Sequence, residues 1–256
     1  MQSGLLTLTT QNGSASPTSR MNSNTLLMQT TSPVQKPMMI RAFNVSKFST
    51  NCYVLGYQEE EGEAIIVDPG FDESQAAEQT FDFIKDNALK PKFIVNTHGH
   101  PDHTCGNGLV KEKFNIPILI HRSDATMLGK TGKNIAEFFG FKNSSPEADI
   151  LLEDNQTITF GRMTLRVMHT PGHSQGSISL AGEEMVLTGD TLFAGSIGRT
   201  DLPGGSEREM QLSLKKLASL PNNFAVYPGH GPATAIGKEK LNNPFLRPFC
   251  PDLPIE

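Results

Sequence analysis

The stretch THGHPDH, residues 97 to 103, constrains this chain more than any other. It sets His98, His100, Asp102 and His103 directly after the apolar run Phe93-Ile94-Val95, so these polar groups are expected where a buried strand ends. In an extended backbone alternate side chains point the same way, which lets His98 and His100 share one ion. Asp102 and His103 then face another, with Pro101 turning the chain between the two pairs. Imidazole and carboxylate both suit a borderline divalent cation.

Three later positions offer the same donor types just past predicted strands: His173 in HTPGHS, Asp190 in LTGDTLF and His230 in VYPGHG. Five of the seven histidines, His98, His100, His103, His173 and His230, are among these candidate ligand positions, a concentration that a random surface distribution would rarely produce. His98, His100 and His173 suffice for one metal, and Asp102, His103 and His230 for a second. The two oxygens of Asp190 suit a bridge. Glycines beside the ligands, Gly99, Gly172, Gly189 and Gly229, permit tight turns and close backbone approach.

The body supports this arrangement. MIRAFNVS, NCYVLGYQ and EAIIVDPG read as three short strands, and apolar spacing at Ala77, Phe81 and Ile84 predicts a helix over residues 73 to 89. KFIVNTH follows as a strand, so the ligand loop lies at the carboxyl end of a sheet strand. A helix over residues 104 to 114 and a buried strand PILIH come next. The loop KNSSPEAD, residues 142 to 149, is a candidate wall or lid of a pocket. QTITF, MTLRVMH, GSISL and EMVLTGD then form a second, mostly antiparallel set of strands, followed by a helix over residues 207 to 220 and a last strand in NFAVYPGHG. Two β-rich halves, each followed by helices, predict an α/β sandwich of two sheets with helices outside.

Charge and composition narrow the function classes. The formal charge is −5, and residues 38 to 256 carry −7 because the first 37 residues hold Arg20 and Lys36 without an acid. An acidic body argues against nucleic acid as a partner. No apolar run is long enough for a membrane span. Cys52, Cys105 and Cys250 are scattered and odd in number, which fits a reducing compartment, and a cytoplasmic location is the expectation. Residues 1 to 37 read as a disordered Ser/Thr-rich tail or an organellar targeting segment, ahead of one domain over 38 to 256.

Taken together, HxHxDH, TPGHS, GD and PGHG resemble the metallo-β-lactamase fold superfamily across residues 38 to about 245. Within it, GSIGRTDLPGGS, residues 195 to 206, resembles the compact glyoxalase II-like branch and its relatives the persulfide dioxygenases. The resemblance implies an αββα sandwich with metals at the sheet edge. By it the ligand set carries over to His98, His100, Asp102, His103, His173, Asp190 and His230, with Asp68 supporting the histidine loop from behind.

It further implies two divalent ions, zinc being the expected metal and iron or manganese suiting the same donors, and a metal-bound hydroxide that cleaves a small thioester of the hydroxyacylglutathione type. Asp102 is the candidate catalytic carboxylate, orienting the hydroxide or taking its proton. Only 26 residues follow His230, too few for the helical domain with which glyoxalase II enzymes hold glutathione, so substrate-binding residues are unassigned. The alternatives are a mononuclear-iron persulfide dioxygenase using a subset such as His98, His173 and Asp190, and a non-catalytic metal-binding module.

Other polar residues take blander expectations. His121 and His169 suit supporting roles, Cys105 packing, and Arg199 with Asp201 a structural ion pair. Lys142, Lys238, Lys240 and Arg247 receive no role. The sequence does not indicate an oligomeric state.

Overall fold

A computed structural model of the chain describes residues 38–57, 62–72 and 74–250. The tail expected over residues 1 to 37 lies outside them. Strand β2 (Thr50–Tyr57) shows how the sheets are used: Tyr53, Leu55 and Tyr57 point to one core, while Cys52 and Val54 point to another. β3 (Glu63–Val67) repeats this, with Ile65 and Val67 on one side and Ala64 and Ile66 on the other. Successive strand side chains face opposite ways, so a strand buried on both faces is an unbroken apolar run rather than an alternation.

These strands belong to a mixed sheet that begins with β1 (Met38–Val45) and continues β2, β3, β4 (Lys90–Val95), β5 (Ile118–His121) and β6 (Ile150–Leu152) in that order. The first three are antiparallel, and β3 to β6 run parallel. The second sheet holds β7 (Thr157–Phe160), β8 (Met163–His169), β9 (Ile178–Gly182) and β10 (Met185–Gly189), antiparallel to one another. A short ribbon, β11 (Leu192–Phe193) with β12 (Ser196–Ile197), follows. β13 (Ala225–Pro228) joins β10 in parallel, and β14 (Thr234–Ala235) closes the edge.

Three apolar layers hold the sandwich. Leu55, Ile65 and Val95 meet Leu165, Leu180 and Leu187 between the sheets. α1 (Ser74–Asp86) and α3 (Asn107–Phe114) cover the outer face of the first sheet through Ala77, Ile84 and Val110. α5 (Glu207–Ala218) and α6 (Ile236–Asn242) cover the second through Met210, Leu214, Leu217 and Ile236. The result is the αββα order. Helix α5 is capped by Ser206, whose Oγ accepts from Glu209 N at 3.3 Å, and carries acids in its first turn and lysines in its last, as its dipole favours. Among the described residues no helix is long and apolar enough to cross a membrane.

Several expectations change. The helix expected over residues 104 to 114 is two pieces, α2 (Pro101–Thr104) and α3, because Asn107 restarts the helix with its buried amide donating to Asn96 and Ser145. Residues 142 to 149 do not roof the ligand cluster. Asp149 instead accepts from Lys111 and from Ile118 N, tying that segment to α3 and β5. Strand β6, the β11–β12 ribbon and β14 go beyond the elements individually expected, while α4 (Gly129–Phe138) lies in the stretch 122 to 150 whose sequence suggests short helical pieces. The segment after His230 is an integral part of the fold: buried Glu239 accepts from Gly195 N and Asn243, and Asn243 donates to the carbonyls of Phe193 and Ser196. The short tail therefore clamps the ribbon.

Candidate metal centre

All seven sequence-predicted ligand positions come together at one end of the sandwich, five on loops that leave a strand and two on the short helix that follows the first of these loops. β4 ends at Val95, and the following residues deliver His98 and His100; Asp102 and His103 lie on α2. His173 lies between β8 and β9, Asp190 follows β10, and His230 follows β13. Their donor atoms converge in three groups, each within 4.8 Å: His98, His100 and His173; Asp102, His103 and His230; and His98, His103 and Asp190.

Asp190 lies between the other two groups. Its Oδ2 is 3.4 Å from both His173 Nε2 and His230 Nε2, and its Oδ1 is 3.4 Å from His103 Nε2. His100 Nδ1 and His173 Nε2 are 2.8 Å apart, and His103 Nε2 and His230 Nε2 are 3.3 Å apart. Helix α5 places the His173 loop: Ser206 N donates to Gly172 O, and Ser213 Oγ to Pro171 O. Gly172, at φ +139, leaves no room for a Cβ against the Met210 backbone. A Cβ on Gly229 would run into the Asp190 carboxylate, so glycine there lets the last strand approach the cluster.

The ring orientations follow from what the other nitrogen holds. Thr97 Oγ1 donates to Asp68 and so accepts from His98 Nδ1 at 3.2 Å. His103 Nδ1 bonds Asp68 Oδ2 at 2.9 Å, His173 Nδ1 donates to Arg199 O at 2.8 Å, and His230 Nδ1 donates to Phe48 O at 3.1 Å. Four rings therefore present Nε2 to the cluster, while His100 presents Nδ1. Outer partners that fix the tautomer are what metal-binding imidazoles need.

The donor set passes a second test. His98 Nε2 and Asp190 Oδ1 are buried without a hydrogen-bond partner. A buried polar atom left unsatisfied costs about 1–3 kcal/mol, and two such atoms aimed into one cluster are explained by a cation between them. The residues present fit divalent ions.

Charge divides the cluster. Burial, then the neighbouring imidazoles, depresses His98 well below the ordinary range, and burial with His173 lowers His100 to about 4. Burial also opposes charging His103, but Asp102, Asp190 and Asp68 outweigh it and raise the ring to about 9. His230 rises to about 10 against burial through hydrogen bonds to Asp102 and Asp190. Burial works against both carboxylates, yet these imidazoles hold Asp102 and Asp190 below the usual carboxylate range.

Asp68 sits behind the loop, where it accepts from Thr97 N at 2.7 Å and from Thr97 Oγ1 at 2.6 Å as well as from His103. Its counterpart, absent from the sequence-derived set, is Asp124. This buried carboxylate accepts from Gly99 N at 2.9 Å, Ser174 Oγ at 2.6 Å and Gly176 N at 2.6 Å, tying the His98–His100 loop to the His173 loop. No motif marks it. Thr50, which donates to Asp102 Oδ2 at 2.9 Å, is a second unmarked contributor.

The remaining candidates lie outside the cluster. His121 and His169 stack on each other, 4.0 Å between centroids and 11° between planes. Cys105 packs with Ala136 and Phe141. The Arg199 guanidinium pairs with both oxygens of Asp201 at 2.7 Å. Lys240 donates to Leu220 O and Asn222, and Arg247 to Leu241 O.

A profile of the Metallo-beta-lactamase superfamily matches residues 45–230, which include β2 to β13 and every residue of the cluster. The chain belongs to the metallo-β-lactamase superfamily. That places it among metallo-hydrolases whose sites take divalent metals. It is 35% identical to the probable metallo-hydrolase YqgX of Bacillus subtilis, over 83% of this chain and 99% of that one. It is 32% identical to the hydroxyacylglutathione hydrolase GloC of Haemophilus influenzae, over 82% and 98%. Among solved structures, the BLEG-1 B3 metallo-beta-lactamase is similar at TM-score 0.74 and 37% identity, covering 81% of this chain and 99% of that one. The di-iron-bound form of TTHA1623 is similar at TM-score 0.70 and 33% identity, covering 80% and 100%.

Proposed function

We propose that this protein is a dinuclear metal-dependent hydrolase that cleaves a small thioester. The observation that carries the reading is the pair of three-residue donor groups with Asp190 between them. His98, His100 and His173 would hold one ion and Asp102, His103 and His230 the other, with Asp190 within reach of both groups. Zinc is the first choice for these donors, and the di-iron form of TTHA1623 keeps iron in view. The similarity to GloC supports a thioester as substrate.

Bound in this cradle, divalent ions supply Lewis acidity and activate water near neutral pH. The chain's residues do the rest. Burial of the cluster keeps bulk water from the reacting carbonyl, and the Nδ1 bonds of His98, His103, His173 and His230 lock the donor geometry. Asp102, held by Thr50, orients the attacking water and takes its proton. The water oxygen bonds to the acyl carbon, the carbon–sulfur bond breaks, and the thiol leaves with that proton.

Turnover of at least one small thioester, from a panel that includes lactoylglutathione and simple acyl thioesters, by zinc-loaded protein, lost with a chelator and restored with zinc, is the expected result. Absence of hydrolysis together with oxygen uptake on glutathione persulfide would overturn the reading in favour of a dioxygenase. Asp102→Asn should lower kcat by roughly 10²-fold or more with metal content retained, and full activity in that variant would remove its proton role.

A further inference from the structure

The cavity above the donor cluster has a second wall that the hydrolytic reading leaves unused. Facing His100, Asp102, His173, Asp190 and His230 across about 240 Å³ are Phe48, Phe139, Phe141 and Leu202. Phe48 and Phe139 remain 48% and 38% exposed, although the fold buries most of its apolar groups.

This wall is fixed in shape. Phe48 meets Phe141 edge to face at 5.6 Å. Lys47 locks the turn after β1 to the end of α4, donating to Phe139 O at 2.6 Å and Gly140 O at 2.9 Å, with Nζ 4.4 Å from the Phe141 ring centre. The Phe48 carbonyl also holds His230, so the wall and the donor cluster share one turn.

Phe48, Phe139, Phe141 and Leu202 contribute no charge to the lining, and the Lys47 ammonium beside them donates to the carbonyls of Phe139 and Gly140. Among the described residues lining this cavity Arg199 is the one permanent cation, and Asp201 engages its guanidinium through both oxygens. An anionic tripeptide would find no unengaged Lys or Arg there. A volume of 240 Å³ falls below the ~300–1,000 Å³ of pockets that enclose drug-sized ligands. That volume has room for the scissile carbonyl and about one ring-sized substituent, and too little for a bulky thiol as well.

Building on the thioester reading above, we propose that Phe48, Phe139 and Leu202 select the acyl group, and that the substrate class is thioesters whose acyl substituent is uncharged and apolar, aromatic or branched aliphatic. Removing such a substituent from water is worth roughly tenfold or more in specificity.

The test uses zinc-loaded protein and three thioesters of one thiol, N-acetylcysteamine, carrying phenylacetyl, acetyl or succinyl groups. Each kcat/KM is corrected for that ester's rate of cleavage by hydroxide alone. Phenylacetyl should exceed acetyl by ~10-fold or more, with succinyl below acetyl. The Phe48→Ala/Phe139→Ala double variant should bring the phenylacetyl-to-acetyl ratio within about twofold of unity. Equal values in the wild type, or an unchanged ratio in the double variant, would overturn the proposal.

If no thioester is cleaved, the thioester reading fails, and calorimetry with the free carboxylates decides the wall by itself. Phenylacetate binding ~10-fold tighter than acetate, with the difference lost in the double variant, sustains it. Equal affinities overturn it.

Discussion

The two halves of the donor cluster face each other across Asp190 yet are made from different chemistry. His98, His100 and His173 form an all-imidazole half, backed by the Thr97 hydroxyl and the Arg199 carbonyl and tied together from behind by Asp124. Asp102, His103 and His230 form an acidic half, backed by the Asp68 carboxylate, the Phe48 carbonyl and Thr50. In the first, burial and neighbouring rings push His98 and His100 down; in the second, carboxylates pull His103 and His230 up. One half therefore offers lone pairs without charge, and the other offers charge. On the dinuclear reading proposed above, a pair of cations would be held by both means at once, with Asp190 coupling them.

The largest effect should come from removing that coupling. Asp190→Ala takes a ligand from both halves, so thioester hydrolysis should fall by roughly 10³-fold or more, and metal analysis should find less than one ion per chain. Retention of a full complement would break the idea that Asp190 serves both halves.

A smaller effect should distinguish the halves. Loss of an outer partner of a metal ligand typically costs about 10–100-fold in affinity or activity. Asp124→Asn should weaken the all-imidazole half and Asp68→Asn the acidic half, read by the separate absorption bands of cobalt-substituted protein. If both variants weaken the same band, the division is wrong.

The smallest effect concerns the scaffold behind the first half. Burial, then His169, lowers His121 to about 4 from an ordinary value near 6.5. Because the folded value is depressed, its contribution to stability is complete above pH ~6.5 and is lost as pH falls toward 4, where the unfolded chain takes up a proton first. His121 leads directly into the turn that carries Asp124, so acid should loosen this side. The melting temperature of wild type should fall about 2–4 °C more than that of His121→Phe between pH 8 and pH 5. Equal falls would show that His121 carries no such burden.

How much of this was legible in the sequence depended on whether chemistry or packing made the signal. The seven candidate ligands stand in short motifs because each must leave a strand end at a tight turn, and that requirement writes glycine and histidine side by side, as in GHG and PGH. The αββα layering showed in apolar runs such as Ala64-Ile65-Ile66-Val67, which only a doubly covered strand can bury. Asp124 was invisible because its partners, Gly99, Ser174 and Gly176, are remote in sequence and two of its three bonds run to backbone. The aromatic wall was invisible for the same reason: Phe48 and Phe141 are brought together by Lys47 reaching helix-end carbonyls, which leaves no periodicity to read. The expected lid at residues 142 to 149 failed because polar composition does not say which surface a loop packs on, and Asp149 ties it elsewhere.

The central claim, two coupled ions in one seven-residue cluster, is tested most directly by titrating the metal-free protein with zinc while following thioester hydrolysis. The account predicts activity that climbs to a break at two equivalents per chain, with metal analysis of the active species giving the same number. A break at one equivalent, with the second ion bound weakly or without effect, would contradict it.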